Sequence, residues 1–485
     1  MTNGFNFTDN TYETLPSTFW KKQTPRIFAE PKVLIYNQDL AQTLGIGSRA
    51  NHPELLATGK MGDTHQLLNM AYAGYQFGHF AILGDGRAAL LGEHVVPETA
   101  GVIAGQRYDI QLKGSGLTHF SRSGSDGLAA IGPMLREYMI SEFLAAVGIA
   151  TTRSLAVVAT GETVHRMTGE PGAVLTRVAK SHLRVGTFNY AIAQTNREEL
   201  QALADYAIAR HYPDIAFNKS YNPYVRFFRQ VVLAQAELVA QWQCLGFIHG
   251  VLNTDNVSIA GETLDLGPCA FMEAYDPEAV FSAIDKQGRY AYSHQPSIMQ
   301  WNLTRFAESL LPLFDSDEAK AIHLAKQELA MFMPTYGDAY MGGMRQKLGF
   351  MTPKMTDSSM VKGLLQLMHT HQLDYTNTLA SLATGTGPLF ALPEAQDWLT
   401  RWQQRLDSQV TDSLSKQSIL DIMTRHNPLV IPRNHLVEAA LTQAEKGNLA
   451  PYSQLLTAVQ NPYSPSPEYM TPAGPDYTCV TYCGT

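Results

Sequence analysis

Residues 249–256 read HGVLNTDN. His249 and Asn256 stand at the spacing of the frame H-x-D-x-x-x-x-N, in which the aspartate accepts a proton and the asparagine ligates a divalent cation. The third place here holds Val251. The one carboxylate of the stretch is Asp255, directly before Asn256. The spacing of the loop is kept while its usual base is missing, so its meaning depends on what flanks it.

Downstream, VSIA (257–260) and TLDL (263–266) flank Gly261-Glu262, which predicts a short hairpin ending in Asp265-Leu-Gly. Upstream, residues 223–245 predict a long helix with Val225, Phe228, Val232, Ala236, Val239 and Trp242 on one stripe. Before it lies a β-rich region. AILGDGRAALLGE (81–93) reads as strand, Gly turn, strand. RYDIQLKG (107–114) alternates Tyr108, Ile110 and Leu112 on one face and puts Lys113 on the other. The Gly- and Ser-rich loop 114–127 leads to a helix at about 133–147, with Pro133 in its first turn and Gly148 as its stop. SLAVVAT (154–160) and GAVLTRVA (172–179) read as strands flanking a Gly161-Glu162 turn. The first 180 residues thus predict roughly five strands and one long helix. Residues from about 296 to 460 predict mostly helix, and the tail is Pro-rich and predicted extended or mobile.

This order, a β lobe with a Gly turn and a strand lysine, a helix, then an H…N loop and Asp-Leu-Gly, is the protein-kinase order. The expected fold class is α+β, a protein-kinase-like two-lobed fold. Its expected parts are an N-terminal extension packing on the core (1–60), an N-lobe (61–190), a C-lobe with the catalytic loop (191–330), a helical C-terminal region (331–460) and an extended tail (461–485). Each piece has a physical task. The Gly turn lets backbone N–H groups approach phosphate oxygens. Lys113 offers a point charge, and Glu137, or its competitor Glu142 on the same helix, would hold that lysine. Asn256 and Asp265 offer oxygen ligands to Mg²⁺. Taken singly, the turn is an ordinary hairpin, Lys113 a surface lysine and Asp255 a loop cap; the ordered set carries the reading. Two features fit phosphoryl transfer poorly. Val251 removes the base, and LTRVAKSHLR places Arg177 and Arg184 where adenine is usually held. Two arginines on a strand end are ordinarily a solvated face. If both point inward, however, they suit phosphate, not a base.

The bulk numbers agree with a globular enzyme. The chain has 485 residues, 45% hydrophobic and 16% charged, enough for a real core. A net charge of −8 argues against nucleic acid or an acidic membrane as partner. No targeting signal and no uninterrupted apolar span is legible, so the expected location is cytoplasmic. Four cysteines (244, 269, 479, 483) are too few for a disulfide framework.

LGDGRAALLGE, DIQLKGSG, SGSDG, REY, AVLTRVAKSHLRVGTF, GFIHGVLNTDN, DLGPCAFMEAYDP and QWNLTRFAESLLPL together resemble the selenoprotein O (YdiU-type) family, from YETLPSTFW near residue 12 to the C-terminal YCGT. The resemblance implies a kinase-like protein adenylyltransferase that binds ATP in an inverted orientation and transfers AMP to Ser, Thr or Tyr hydroxyls of proteins. It implies nucleotide binding by Gly84, Gly86, Arg87, Lys113, Asp126, Gly127, Arg177, Arg184 and Asp265. It further implies Asp255 as proton acceptor, Asn256 and Asp265 as Mg²⁺ ligands with Mn²⁺ as a substitute, and Glu137 as the partner of Lys113. UTP use is a further expectation. An ATP-dependent kinase with a displaced base and a nucleotide-binding pseudokinase acting as an interaction module stay open as alternatives. The family's C-terminal redox pair is C-x-x-Sec or C-x-x-C, whereas Cys479 and Cys483 are spaced C-x-x-x-C. That departure counts against a local dithiol and leaves a link from Cys269 to the tail as the other possibility.

Overall fold

The computed structural model describes residues 4–7, 10–60, 66–166, 169–215, 221–474 and 476–482. It is a mixed α+β structure built on one antiparallel seven-stranded sheet, ordered β1-β3-β6-β7-β9-β8-β2. The strands are β1 (Trp20–Gln23), β2 (Lys32–Tyr36), β3 (Leu67–Met70), β6 (Ala88–Val95), β7 (Arg107–Lys113), β8 (Arg153–His165) and β9 (Gly169–Ala179); β4 (Ala73–Gln76) and β5 (His79–Ile82) form a separate hairpin. Residues 1–60 contribute both edge strands, β1 and β2, and two short helices, α1 (Gln38–Thr43) and α2 (Pro53–Thr58). Glu93, wholly buried in β6, ties this extension down: it accepts from Tyr12 N at 2.7 Å, Thr11 Oγ1 at 2.6 Å and Arg210 Nη1 at 2.6 Å.

Helix α3 (Ile131–Ala146) packs across β8 and β9 and is buried along almost its whole length. The helical body follows with α4 (Val185–Gln194), α5 (Arg197–His211) and α6 (Pro223–Leu245). α6 spans the expected residues 223–245; Asn222 caps it by accepting from Tyr224 N and Val225 N, Pro223 starts it, and Gly246 ends it. After the catalytic-type loop and a two-stranded pairing of β10 (Phe247–Ile248) with β11 (Ala270–Phe271), the chain is helical. It forms α7 (Gln295–Phe314), α8 (Glu318–Leu329), α9 (Phe332–Leu348), α10 (Asp357–Thr370), α11 (Tyr375–Ser381) and α12 (Pro388–Ala391). Then come α13 (Gln396–Asp407), α14 (Lys416–His426), α15 (Asn434–Glu445), α16 (Ala450–Gln460) and α17 (Pro467–Met470). α15 and α16 turn back onto α3. None of the helices among the described residues is long and apolar enough to cross a membrane.

Four local expectations change. Among the described residues nine strands, not five, precede residue 180; the four not expected are β1, β2, β3 and β4, of four or five residues each, which show too little alternation to be read. The two strands around Gly84-Asp85-Gly86 do not pair: β5 pairs with β4, and β6 with β3 and β7. Gly161 is not a turn; β8 runs through it to His165, with a register shift between Ala159 and Thr163. The expected 257–266 hairpin is only a single bridge, Val257 to Thr263. The tail is held where it passes the segment after Asp265. Thr481 N donates to Phe281 O at 2.8 Å, Ala283 N to Thr481 O at 2.9 Å, and Thr481 Oγ1 to Pro268 O at 2.6 Å.

Candidate active site

The site starts from one face of β7. Alternation places Asp109, Gln111 and Lys113 together, and all three are buried. Antiparallel pairing sets Arg177 of β9 directly opposite Gln111, and Arg177 Nη2 donates to Gln111 Oε1. From behind, α3 brings Glu137, whose carboxylate takes Lys113 Nζ at 2.6 Å and Arg177 Nη1 at 3.1 Å. Glu142 is engaged elsewhere, by Arg153 at 2.6 and 2.9 Å and by Asn37 at 2.7 Å. The lysine partner is therefore Glu137.

Asp265 joins this group from the Asp-Leu-Gly turn. Its backbone lies in the left-handed region (φ 60), uncommon for a residue with a Cβ. Its carboxylate accepts from Lys113 Nζ at 3.1 Å, Arg177 Nη1 at 2.5 Å and Arg184 Nη1. Burial alone would raise its pKa; Arg184, then Lys113 and Arg177, overcome that and hold it well below the usual range. Glu137 is likewise depressed, burial being outweighed by Lys113 and Arg177. Lys113, Arg177 and Arg184 here meet Glu137 and Asp265, with the carboxyls of Asp85 and Asp255 also close to Arg184. Ammonium and guanidinium groups gathered this way are the donors that phosphate oxygens take.

Arg184 links the cluster to the loop quoted first. It is the residue before α4, its guanidinium lies 4.5 Å from the Tyr72 ring centroid, and its Nη1 donates to the Asp255 carbonyl at 2.6 Å. Asp255 is 7% exposed, and its Oδ1 has no hydrogen-bond partner. Burial pushes its carboxyl up to about 6, against the opposing pull of Arg184. Asn256 Nδ2 donates to the Val251 carbonyl at 2.8 Å, an orientation that leaves its amide oxygen available. His249 is structural: its Nε2 meets the Leu264 carbonyl at 2.9 Å and its ring packs on Trp242. The β4–β5 hairpin is fastened to the same loop, with Tyr75 N donating to Thr254 Oγ1 at 2.9 Å and Phe77 N to Asn253 Oδ1 at 3.1 Å.

The Gly84–Arg87 turn and the 114–127 loop form one rim. Gly114 N donates to Arg87 O at 2.7 Å, Thr118 Oγ1 to Asp85 O at 2.5 Å and Ser121 Oγ to Gly86 O at 2.5 Å. Gly84 has φ 129, and a Cβ there would lie 2.4 Å from the Phe120 ring, so only glycine fits. Asp126 and Gly127 lie farther along this loop. The Asp126 carboxylate is held by Arg166 at 2.8 and 3.2 Å near the surface, apart from the lysine–arginine cluster. Two residues that sequence reading passed over complete the network. Buried Asp85, pushed up to about 6 by burial, accepts from Met70 N at 3.0 Å and from Gln111 Nε2 at 3.2 Å. Gln111 thereby connects the Gly turn to Arg177. The signal was present: Gln111 shares the face of Lys113 in the 107–113 alternation.

Cys244 and Cys269 are buried free thiols, each pushed up to about 12 by burial, and Cys479 is a half-buried free thiol. Cys483 lies outside the described residues. Among the described residues there is no cluster of three or more His, Cys, Asp or Glu side chains that could hold a metal by themselves. Asn256 and Asp265 supply oxygen donors only, the chemistry a hard cation takes when phosphates provide further ligands.

The site is thus a cationic cluster closed by a helix glutamate and a turn aspartate, beside a loop carboxylate. The family model for "Protein adenylyltransferase SelO" matches residues 5–460. The protein nucleotidyltransferase YdiU of Anoxybacillus flavithermus is 50% identical over the full length of both chains. That of Geobacillus kaustophilus is also 50% identical over both full lengths, and that of Shouchella clausii is 48% identical over 98% of each. The chain belongs to the SelO/YdiU family of protein nucleotidyltransferases.

Proposed function

We propose that this protein adopts the kinase-like two-lobed arrangement and transfers AMP from ATP to Ser, Thr or Tyr hydroxyls of other proteins. The observation that carries the reading is the convergence of Lys113, Arg177 and Arg184 on Asp265, deep in the site and bordering Asp255 through Arg184. Three buried cations at that depth suit the β- and γ-phosphates of an inverted nucleotide better than an adenine ring. The α-phosphate then faces the Asp255–Asn256 loop. The Gly84–Gly86 turn with Arg87, and Asp126 and Gly127 of the adjoining loop, form the rim along which the rest of the nucleotide lies.

Asp255 accepts the proton as the acceptor hydroxyl oxygen bonds to the α-phosphorus and the bond to pyrophosphate breaks. Lys113, Arg177 and Arg184 hold the departing pyrophosphate, and Glu137 fixes Lys113. Asn256 and Asp265 would hold Mg²⁺, or Mn²⁺ in its place, which would supply charge neutralisation at the phosphate oxygens. UTP as a second donor is part of the same proposal.

The test is transfer of label from ATP to protein in the presence of Mg²⁺, with intact-mass measurement of the chain itself. Label from the α position and an added AMP mass are expected. Label arriving only from the γ position would make the protein a kinase, and ATP binding without transfer of either label would make it a binding module.

A further inference from the structure

Glu137 has a neighbour that the reaction as described does not use. Arg136, 5% exposed, reaches two partners outside α3: its Nη2 donates to the Cys269 carbonyl at 2.7 Å, and its Nη1 pairs with Glu438 Oε1 at 2.8 Å. Cys269 is four residues beyond Asp265, and Glu438 lies on α15. One guanidinium thus spans the helix that carries Glu137, the segment that carries Asp265, and the C-terminal helices. The same helices hold α3 at two further points. Tyr452 of α16 donates its hydroxyl to the Leu135 carbonyl at 2.9 Å, and Glu445 of α15 lies so close to Gly132 that a Cβ there would come within 2.3 Å of its Oε1.

We propose that Arg136 is a positioning residue for nucleotidyl transfer, holding α3 against the Asp265 segment so that Lys113 meets Glu137 and Asp265 together, with α15 as the outer anchor. The role rests on the reading of Lys113, Glu137 and Asp265 as the nucleotide and metal machinery. The chemistry requires arginine. Its planar fork serves a carbonyl and a carboxylate at once from a buried position, whereas a lysine presents a single point of charge. α3 and the Asp265 segment also meet through Phe143, whose ring lies edge-on to Phe271 at 5.1 Å between centroids, but Arg136 is the polar link next to Glu137 in the chain, so loosening it lets Glu137 and Asp265 part.

The experiment compares initial rates of AMP transfer against ATP concentration, with thermal midpoints, for wild type, Arg136→Gln, Glu438→Gln, Glu137→Gln and the Arg136→Gln/Glu137→Gln pair. Arg136→Gln should lower kcat about tenfold or more, with a smaller change in KM. In the pair, the second substitution should cost less than about twofold, because both act through Glu137. Losses that multiply in the pair, or a kcat for Arg136→Gln within about twofold of wild type, would overturn the role. If Arg136→Gln does not fold, Glu438→Gln decides. Its side chain is half exposed, so the fold is kept, and a kcat two- to threefold lower (roughly) at an unchanged thermal midpoint is expected; an unchanged kcat refutes the proposal. Wild-type protein that moves no AMP refutes the functional reading itself, whereas active wild type with an unaffected Arg136→Gln refutes only the positioning role.

Discussion

Asp255 is the residue on which the chemistry turns. Its Oδ1 is buried without a donor, and its carboxyl is pushed up to about 6. A merely structural loop cap would be expected to have its oxygens satisfied. Asp255→Asn keeps the shape and removes the proton acceptor. Transfer should fall about 10²–10⁴-fold, with ATP affinity measured by calorimetry essentially unchanged; a parallel loss of binding would assign Asp255 to holding the loop instead. Glu262 offers a separate test by pH. It is buried, accepts from Lys180 N at 3.0 Å, and is pushed up to about 7 chiefly by burial, against Lys180. Its folded pKa exceeds its unfolded one. The native state therefore binds the proton more tightly, and this contribution to stability is present at low pH and lost as pH rises through about 7. Glu262→Gln should stabilise the protein by roughly 1–3 kcal/mol at pH 8 and hardly at all at pH 4. Denaturant titrations at both pH values check it, and an equal gain at the two would contradict the burial argument. Sequence reading supplied Lys113, Arg177, Arg184, Asp255 and Asp265 as candidates, because their residue types and order are informative. It favoured Glu137 over its competitor Glu142 as the lysine's partner, that choice resting on the family resemblance, and the packing of α3 shows Glu137 on Lys113 and Glu142 on Arg153.

Among the elements, the β4–β5 hairpin was the least legible and is among the closest to the chemistry. Its four-residue strands pair with each other and not with the main sheet, and they bind the 253–256 loop through backbone N–H groups. Gly74 is where this fit is tightest. A Cβ there would lie 2.1 Å from Asp255 Oδ1. Gly74→Ala must therefore lift the hairpin or turn the Asp255 side chain. The expected result is a folded protein with transfer reduced by about tenfold or more, read by rate measurement alongside circular dichroism. Full activity would mean that the hairpin yields without moving Asp255. The 223–245 helix, by contrast, was readable from its apolar stripe, and the structure adds the Asn222 cap, the Pro223 start and the Gly246 stop that fix those bounds. The 81–93 stretch misled because its two strands are real but find partners elsewhere.

At the scale of the whole molecule, one buried core runs from Tyr12 and Phe19 of the extension through α3 and α6 to Tyr452 and Val459 of α16. The N-terminal extension and the C-terminal helices are thus built into the body that carries the site. The tail joins it again at Thr481, 4% exposed, whose hydroxyl caps the Pro268 carbonyl three residues after Asp265. Thr481→Val removes that hydroxyl and strands the carbonyl; a loss of about 1–2 kcal/mol in denaturant unfolding is expected, and no measurable change would show the carbonyl finding another donor. The sequence by itself determined the β-then-helix order, the long helices and the residue types of the site. Those depend on local periodicity, capping and motif spacing, which a linear chain displays. Only the tertiary structure decided that Gln111 and Asp85 extend the cluster, that a hairpin covers Asp255, that Glu142 turns to Arg153, and that the C-terminal helices brace α3. Each of these joins residues separated along the chain, and which side chains then share a buried, mutually satisfied charge network is fixed by packing alone.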